Sequence, residues 1–250
     1  MDIWIHPDAA SLARSVAREI AAQLAKPSSV LALASGRTPV PVYDELVAMH
    51  DRREITFRGA TVFALDEYLG RNGADVGSFG AFFADHLFGR VDLPRERAHV
   101  PDGRAADPAR ECRAYEARIL AAGGIDLCLL GLGRNGHVAF NEPGPILAAQ
   151  AHVAEIADQT REGFPPELAD VRHGLTMGMA TILNARRVIL VATGPDKADI
   201  VTRALVPVVD PWVPASLLQL HPNAVFALDG AAARDLVGGP EPQRHVVRRP

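Results

Sequence analysis

The stretch Val30-Leu31-Ala32-Leu33-Ala34-Ser35-Gly36-Arg37-Thr38-Pro39 decides the fold. Its five apolar residues, closed by a polar turn, read as a strand. Val42, Leu46 and Val47 downstream share one face of a helix, and Thr61 to Leu65 forms a second apolar run, which completes one βαβ unit. Upstream, Asp8 is placed to cap a helix through about Leu24, with Leu12, Val16, Ile20 and Leu24 on one face.

The alternation continues along the chain. Ser78 to Phe88 and Pro108 to Ala122 read as helices, and Ile125 to Leu130, the most apolar run, as a central strand. A helix near Met177 to Asn184, a strand Val188 to Ala192, a helix from Pro195 to Ala204 and a strand Val225 to Leu228 follow. The expected fold is a single α/β domain over residues 1–250. It is a Rossmann-like three-layer sandwich with a mostly parallel central sheet of five or so strands. Residues 141–174, rich in Pro and Gly, are expected as a mobile, lid-like excursion, and residues from about 239 to 250 as a loose tail.

Bulk properties narrow the function classes. The 250 residues are 48% hydrophobic and 22% charged, ordinary for a globular chain. A net charge of -4 argues against a nucleic-acid binder, whose affinity depends on concentrated Lys and Arg. No apolar run is long enough to span a membrane and Met1 to Ala10 lacks signal-peptide features, so a cytoplasmic protein with no membrane partner is expected. Two cysteines, Cys112 and Cys128, read as separate free thiols.

In an open parallel sheet, ligands bind beyond the carboxyl ends of the strands. Four such ends stand out. Ser35-Gly36-Arg37-Thr38 offers two hydroxyls, a flexible glycine and a helix N-terminus, which suits a phosphate, although a tight helix-capping turn reads equally well. Asp66-Glu67-Tyr68 puts a carboxylate pair at a strand end, where it is either a general base or a turn cap. Gly131-Leu132-Gly133-Arg134-Asn135-Gly136-His137 matches a dinucleotide fingerprint in spacing only, because Asn141-Glu142-Pro143-Gly144 signals a turn where that fingerprint needs a helix. More telling is His137 five residues from Glu142, beside glycines that let backbone approach a ligand. Finally, Thr193-Gly194-Pro195-Asp196-Lys197 sets a lysine in the first helical turn, against the dipole, where an anionic partner would make sense of it. There is neither HExxH nor a cysteine cluster for zinc, and no GxSxG elbow.

Together with Leu65-Asp66-Glu67-Tyr68-Leu69-Gly70, Leu175-Thr176-Met177-Gly178 and Leu217-Leu218-Gln219-Leu220-His221-Pro222, these segments resemble the glucosamine-6-phosphate deaminase (isomerase) and 6-phosphogluconolactonase family. Phe140-Asn141-Glu142-Pro143 and Tyr68 after Glu67 favour the deaminase branch. The resemblance implies conversion of glucosamine 6-phosphate to fructose 6-phosphate and ammonia by general acid/base chemistry, without metal or cofactor. A phosphorylated amino sugar is the implied partner. The alternatives are a 6-phosphogluconolactonase-type hydrolase and a sugar-phosphate sensor of reduced activity.

The resemblance also implies roles. Asp66 is similar to the base that moves a proton between C2 and C1, and His137 to the ring-opening acid/base, oriented and tuned by Asn135 and Glu142. Ser35, Gly36, Arg37, Thr38, Gly136, Lys197 and Arg161, the last as a lid arginine, fall to substrate and phosphate binding. The segment from Pro143 to Thr160 holds no Lys or Arg, so no effector-phosphate activation is expected, and a monomer or small homo-oligomer is.

Overall fold

A computed structural model describes residues 1–73, 75–236 and 245–249. Among them, eight strands form one sheet in the order β11-β1-β10-β9-β6-β2-β3-β5. These are β1 (Asp2–His6), β2 (Ser29–Leu33), β3 (Ala60–Ala64), β5 (Ala98–His99), β6 (Leu127–Gly131), β9 (Val188–Ala192), β10 (Ala224–Asp229) and β11 (His245–Arg248), with every pairing parallel. Alternation sends Leu31, Leu33, Leu129 and Ile189 to one face, where they pack on α1 (Ala9–Leu24) and α2 (Val40–Asp51). Ala32, Cys128, Leu130 and Leu190 go to the other, against α4 (Pro108–Ala121), α6 (Met179–Leu183) and α7 (Ala198–Leu205).

Both faces are covered by helices, so the core strands read as continuous apolar runs. Asp8 caps α1 with a reciprocal bond pair involving Ser11. No helix of the described residues is long and apolar enough to cross a membrane.

A second, three-stranded antiparallel sheet in the order β4-β8-β7 stands at the carboxyl ends of the first. It joins β4 (Asp66–Tyr68) to β8 (His173–Thr176) and β7 (His152–Glu155), so the excursion over residues 141–174 contributes paired strands rather than bare loop. Between β7 and β8 lies one short helix, α5 (Asp158–Arg161). This sheet has its own small core of Tyr68, Phe140, Ala154, Ile156, Leu168 and Val171. The entry of α3 (Phe79–His86) abuts it, with Phe79 against Tyr68.

Several expectations need correction. A strand absent from the expected series, β1, precedes the first helix; it is legible only once β10 and β11 are there to pair with it. The expected loose tail includes a strand, β11, held by its ladder to β1 and by the Arg249 guanidinium 3.5 Å over the Trp4 ring. The rest of that expected tail, residues 239–244 and 250, lies outside the described residues. The helix expected from Pro195 begins as a 3-10 turn, Pro195–Lys197, with α7 following.

Candidate active site

The strand order reverses between β2 and β6: β3 and β5 extend to one side, and β9, β10 and β1 to the other. Ligand crevices form at such switch points. The segments that leave β2, β3, β6 and β9 meet here in a cavity of about 660 Å³. Ser35, Gly36, Arg37, Thr38, Asp66, Asn135, His137 and Lys197 all line it. Tyr68, Phe79, Phe140 and Phe164, in mutual ring contact, give it an aromatic wall. A larger depression of about 930 Å³ opens at the opposite end of the sheet, where His50 and Arg58 are engaged with Asp92 at 3.4 and 3.2 Å.

The carboxylate pair read from the sequence is split by the strand. In β4 successive side chains face opposite ways, so Asp66 faces the cavity with Tyr68 while Glu67 does not. Glu67 is fully buried and accepts backbone N–H bonds from Tyr68 at 2.8 Å, Phe79 at 3.0 Å and Gly80 at 2.9 Å. It holds the N-terminus of α3 in place. Asp66 is 5% exposed, and its one side-chain partner among the described residues is Ser35, whose hydroxyl donates to Oδ1 at 3.4 Å. Burial and then the neighbouring Glu67 charge push the Asp66 carboxyl up to about 8, against a smaller opposing pull from Ser35.

His137 is held from one side only. Its Nδ1 lies 2.8 Å from Asn135 Oδ1, and its backbone N–H donates to that same oxygen at 3.1 Å. The Asn135 amide donates in turn to Glu142 Oε2 at 2.7 Å. A flipped amide would set NH₂ against N–H and oxygen against carboxylate, so this network fixes the asparagine. Its oxygen can only accept, so Nδ1 carries the proton and Nε2 keeps a free lone pair. Glu142 Oε2 stands 3.4 Å from Nδ1. Burial pushes the Glu142 carboxyl up, but bonds from His137, Thr160 and Asn135 outweigh it and hold the group below the usual glutamate range.

Two glycines explain the shape of this loop. A Cβ on Gly133 would come within 2.3 Å of the imidazole, so the ring can lie across the turn only because that residue is glycine. Gly136, at φ 93°, would drive a Cβ to 3.0 Å from Val213 and 3.1 Å from Ile200. It packs against the core and does not line the cavity.

Three cations gather in the cavity wall: Lys197, Arg134 and Arg37. The Lys197 ammonium donates to the Leu132 carbonyl at 2.7 Å. Burial lowers its pKa; Asp196 opposes that, and the nearby Arg134 and Arg37 charges lower it further. Arg134 also pairs with Asp196 at 3.4 Å. A surplus of positive charge beside two hydroxyl residues and a glycine turn suits a dianionic phosphate.

Arg161 is not brought to this site. It bonds Asp158, three residues back on α5, and lies off the cavity wall. In its stead the excursion presents Gln159 and Thr160. Thr160 and Arg134 were not singled out from the sequence. Arg134 stands inside the quoted glycine segment and its charge was a usable signal; Thr160 carries none. The Leu217 to Pro222 motif serves packing. Gln219 spans the Ala204, Val206 and Val208 carbonyls, and buried His221 lies 2.7 Å from the Ala185 carbonyl.

Comparison with known proteins agrees with this geometry. The family of glucosamine-6-phosphate isomerases and 6-phosphogluconolactonases matches residues 7–226. A protein of Shewanella loihica named glucosamine-6-phosphate deaminase is 44% identical over 251 residues, covering 98% of this chain and 93% of the relative. One of the same name from Rhodopirellula baltica is 44% identical over 238 residues, covering 93% and 95%. A solved structure described as a monomeric glucosamine-6-phosphate deaminase superposes with a TM-score of 0.91 at 35% identity, covering 94% of this chain and all of that one. The 6-phosphogluconolactonase of Trypanosoma brucei superposes at 0.77 with 24% identity over 94% and 98% of the two chains, a likeness of fold alone.

Proposed function

The chain belongs to the family of glucosamine-6-phosphate isomerases and 6-phosphogluconolactonases, and on that premise we propose that it converts glucosamine 6-phosphate to fructose 6-phosphate and ammonia. The observation that carries this reading is one cavity that holds a buried carboxyl, Asp66, a histidine with a free Nε2, and a cluster of three cations.

The phosphate is held by Lys197, Arg37 and the Ser35 to Thr38 turn, which fixes the far end of the sugar and makes the later proton transfers intramolecular in effect. His137 takes the anomeric hydroxyl proton on Nε2 and returns it to the ring oxygen, so the ring opens and the histidine ends neutral. The other proton remains on Nδ1 throughout, directed at Asn135 and Glu142. Asp66 in the free protein is largely protonated at neutral pH. An ammonium on C2 of the sugar supplies the counter-charge that drives the Asp66 proton off to solvent. The carboxylate then removes the C2 proton while the ammonium passes one of its protons to the aldehyde oxygen, which gives a neutral enolamine. Asp66 returns the proton to C1, leaving an iminium at C2; water adds there, the nitrogen departs as ammonium, and the ketose phosphate remains.

The relatives that are 37 to 44% identical carry the deaminase name, which favours amine loss over lactone hydrolysis. Two free, buried cysteines fit a reducing cytoplasm. The test is a side-by-side assay of ammonia release from glucosamine 6-phosphate and hydrolysis of 6-phosphogluconolactone. Ammonia release is expected to dominate; lactone hydrolysis without ammonia would replace the reading.

A further inference from the structure

The excursion touches the histidine through one side chain. Thr160, on α5, places Oγ1 3.2 Å from Nδ1 of His137 and also hydrogen-bonds Glu142. The single Nδ1–H is shared: Asn135 takes the shorter contact at 2.8 Å, and the hydroxyl at 3.2 Å takes a weaker share of it while giving its own proton to the Glu142 carboxylate. A threonine methyl or a valine could fill the same space but could do neither.

The segment that brings Thr160 in is anchored at the other half of the site. β7 pairs with β8 and β8 with β4, so that Thr176 stands opposite Asp66 in the register. Thr176 also accepts the Phe140 N–H at 3.1 Å, and Asn141 donates to Val138 and Met177 carbonyls at 3.0 and 2.8 Å, which ties the histidine loop to the end of β8. One structural unit, the small sheet with α5, thus carries Asp66 in its own strand and reaches His137 through a hydroxyl.

We propose that Thr160 is a positioning residue that couples the docking of the excursion to the tautomer and orientation of the His137 ring. With α5 seated, the hydroxyl braces the Nδ1–H form and turns Nε2 to the ligand. With α5 displaced, the ring loses that brace and the two halves of the site fall out of step. The kinetic part of this inference rests on the proposed deaminase reading; the tautomer part does not.

The experiment uses Thr160→Val and Thr160→Ser in the full chain. Imidazole ¹⁵N shifts of His137 are recorded without ligand, and kcat and KM for ammonia release are measured beside them. Thr160→Val is expected to raise the minor Nε2–H tautomer measurably above its level in the unsubstituted protein, with Asn135 still favouring Nδ1–H, and to lower kcat by about tenfold or more, the scale of one hydrogen bond to a charged group, with KM moving less than about threefold. Thr160→Ser, which keeps the hydroxyl, is expected to match the unsubstituted protein in both. A Thr160→Val protein with an unchanged tautomer or unchanged kcat overturns the proposal, as does a Ser variant as impaired as the Val one. If the unsubstituted chain releases no ammonia, the deaminase reading fails and the ¹⁵N shifts alone decide the role of Thr160.

Discussion

In β6 of the large sheet, Leu127, Leu129 and Cys128, Leu130 alternate between two helix-covered faces and carry nothing that can ionise near neutral pH. In β4 of the small sheet, adjacent residues Asp66 and Glu67 are both buried carboxyls. The large sheet is held by apolar area removed from water. The small one spends part of that stability on two buried acids. Glu67 has three backbone donors to hold it, whereas Asp66 has a single long contact from Ser35. An under-satisfied acid beside a ligand cavity is poised to react, and a well-satisfied one next to it is structural. The difference shows that the apolar strands of the large sheet serve as scaffold, while the buried acids stand in the small sheet, facing the loops that leave the large one.

Substitutions that separate the two sheets test that division. Leu129→Ala, at a residue with no exposure, should cost roughly 2 to 5 kcal/mol of stability in chemical denaturation, yet leave turnover per folded molecule unchanged. A loss of specific turnover there would break the division. Glu67→Gln should cost about 1 to 3 kcal/mol, because a neutral amide accepts less strongly from three N–H groups and brings a donor of its own into a buried site.

Asp66→Asn should act in the opposite direction and stabilise the free protein. The folded pKa of about 8 lies above the ordinary 3.8, so the stability that Asp66 provides is fully present below pH 4 and is lost as pH rises through 8. Asparagine does not titrate, so the melting-temperature gap between the variant and the unsubstituted protein should widen from pH 4 to pH 8 and then level off. A gap of at least about 2 to 4 °C at pH 8, near 1 kcal/mol for a chain of this size, is expected in calorimetry. A gap that closes with rising pH would contradict the raised pKa. Arg161→Ala should have the smallest effect, a change in KM under about threefold, since its guanidinium is engaged by Asp158 off the cavity wall.

How much of this was legible in the sequence follows the same division. Val188 to Ala192 is read to the residue, and β2, β3, β6 and β10 within a residue or two at most ends, because a strand buried on both faces is an unbroken apolar run. The short strands were not. β4, β5, β7 and β8 have two to four residues each, and His173-Gly174-Leu175-Thr176 carries no periodicity; they become strands only by pairing with partners distant in the chain. The site residues that follow long strands were readable, since a parallel sheet delivers all its strand ends to one edge. Arg161 and Gly136 stand off the cavity wall for local reasons that a sequence does not display, a neighbouring aspartate in one case and a tight contact with Val213 in the other. Thr160 was invisible because a threonine in a loop carries no chemistry until its partner is known.

The central claim is that Asp66 and His137 act on one sugar held by its phosphate. Its most direct test is Asp66→Asn assayed for fructose 6-phosphate binding by calorimetry and for ammonia release from glucosamine 6-phosphate. The account predicts binding within about threefold of the unsubstituted protein, with turnover down by a factor on the order of 10² to 10⁴. A variant that binds and still releases ammonia at a comparable rate would contradict it.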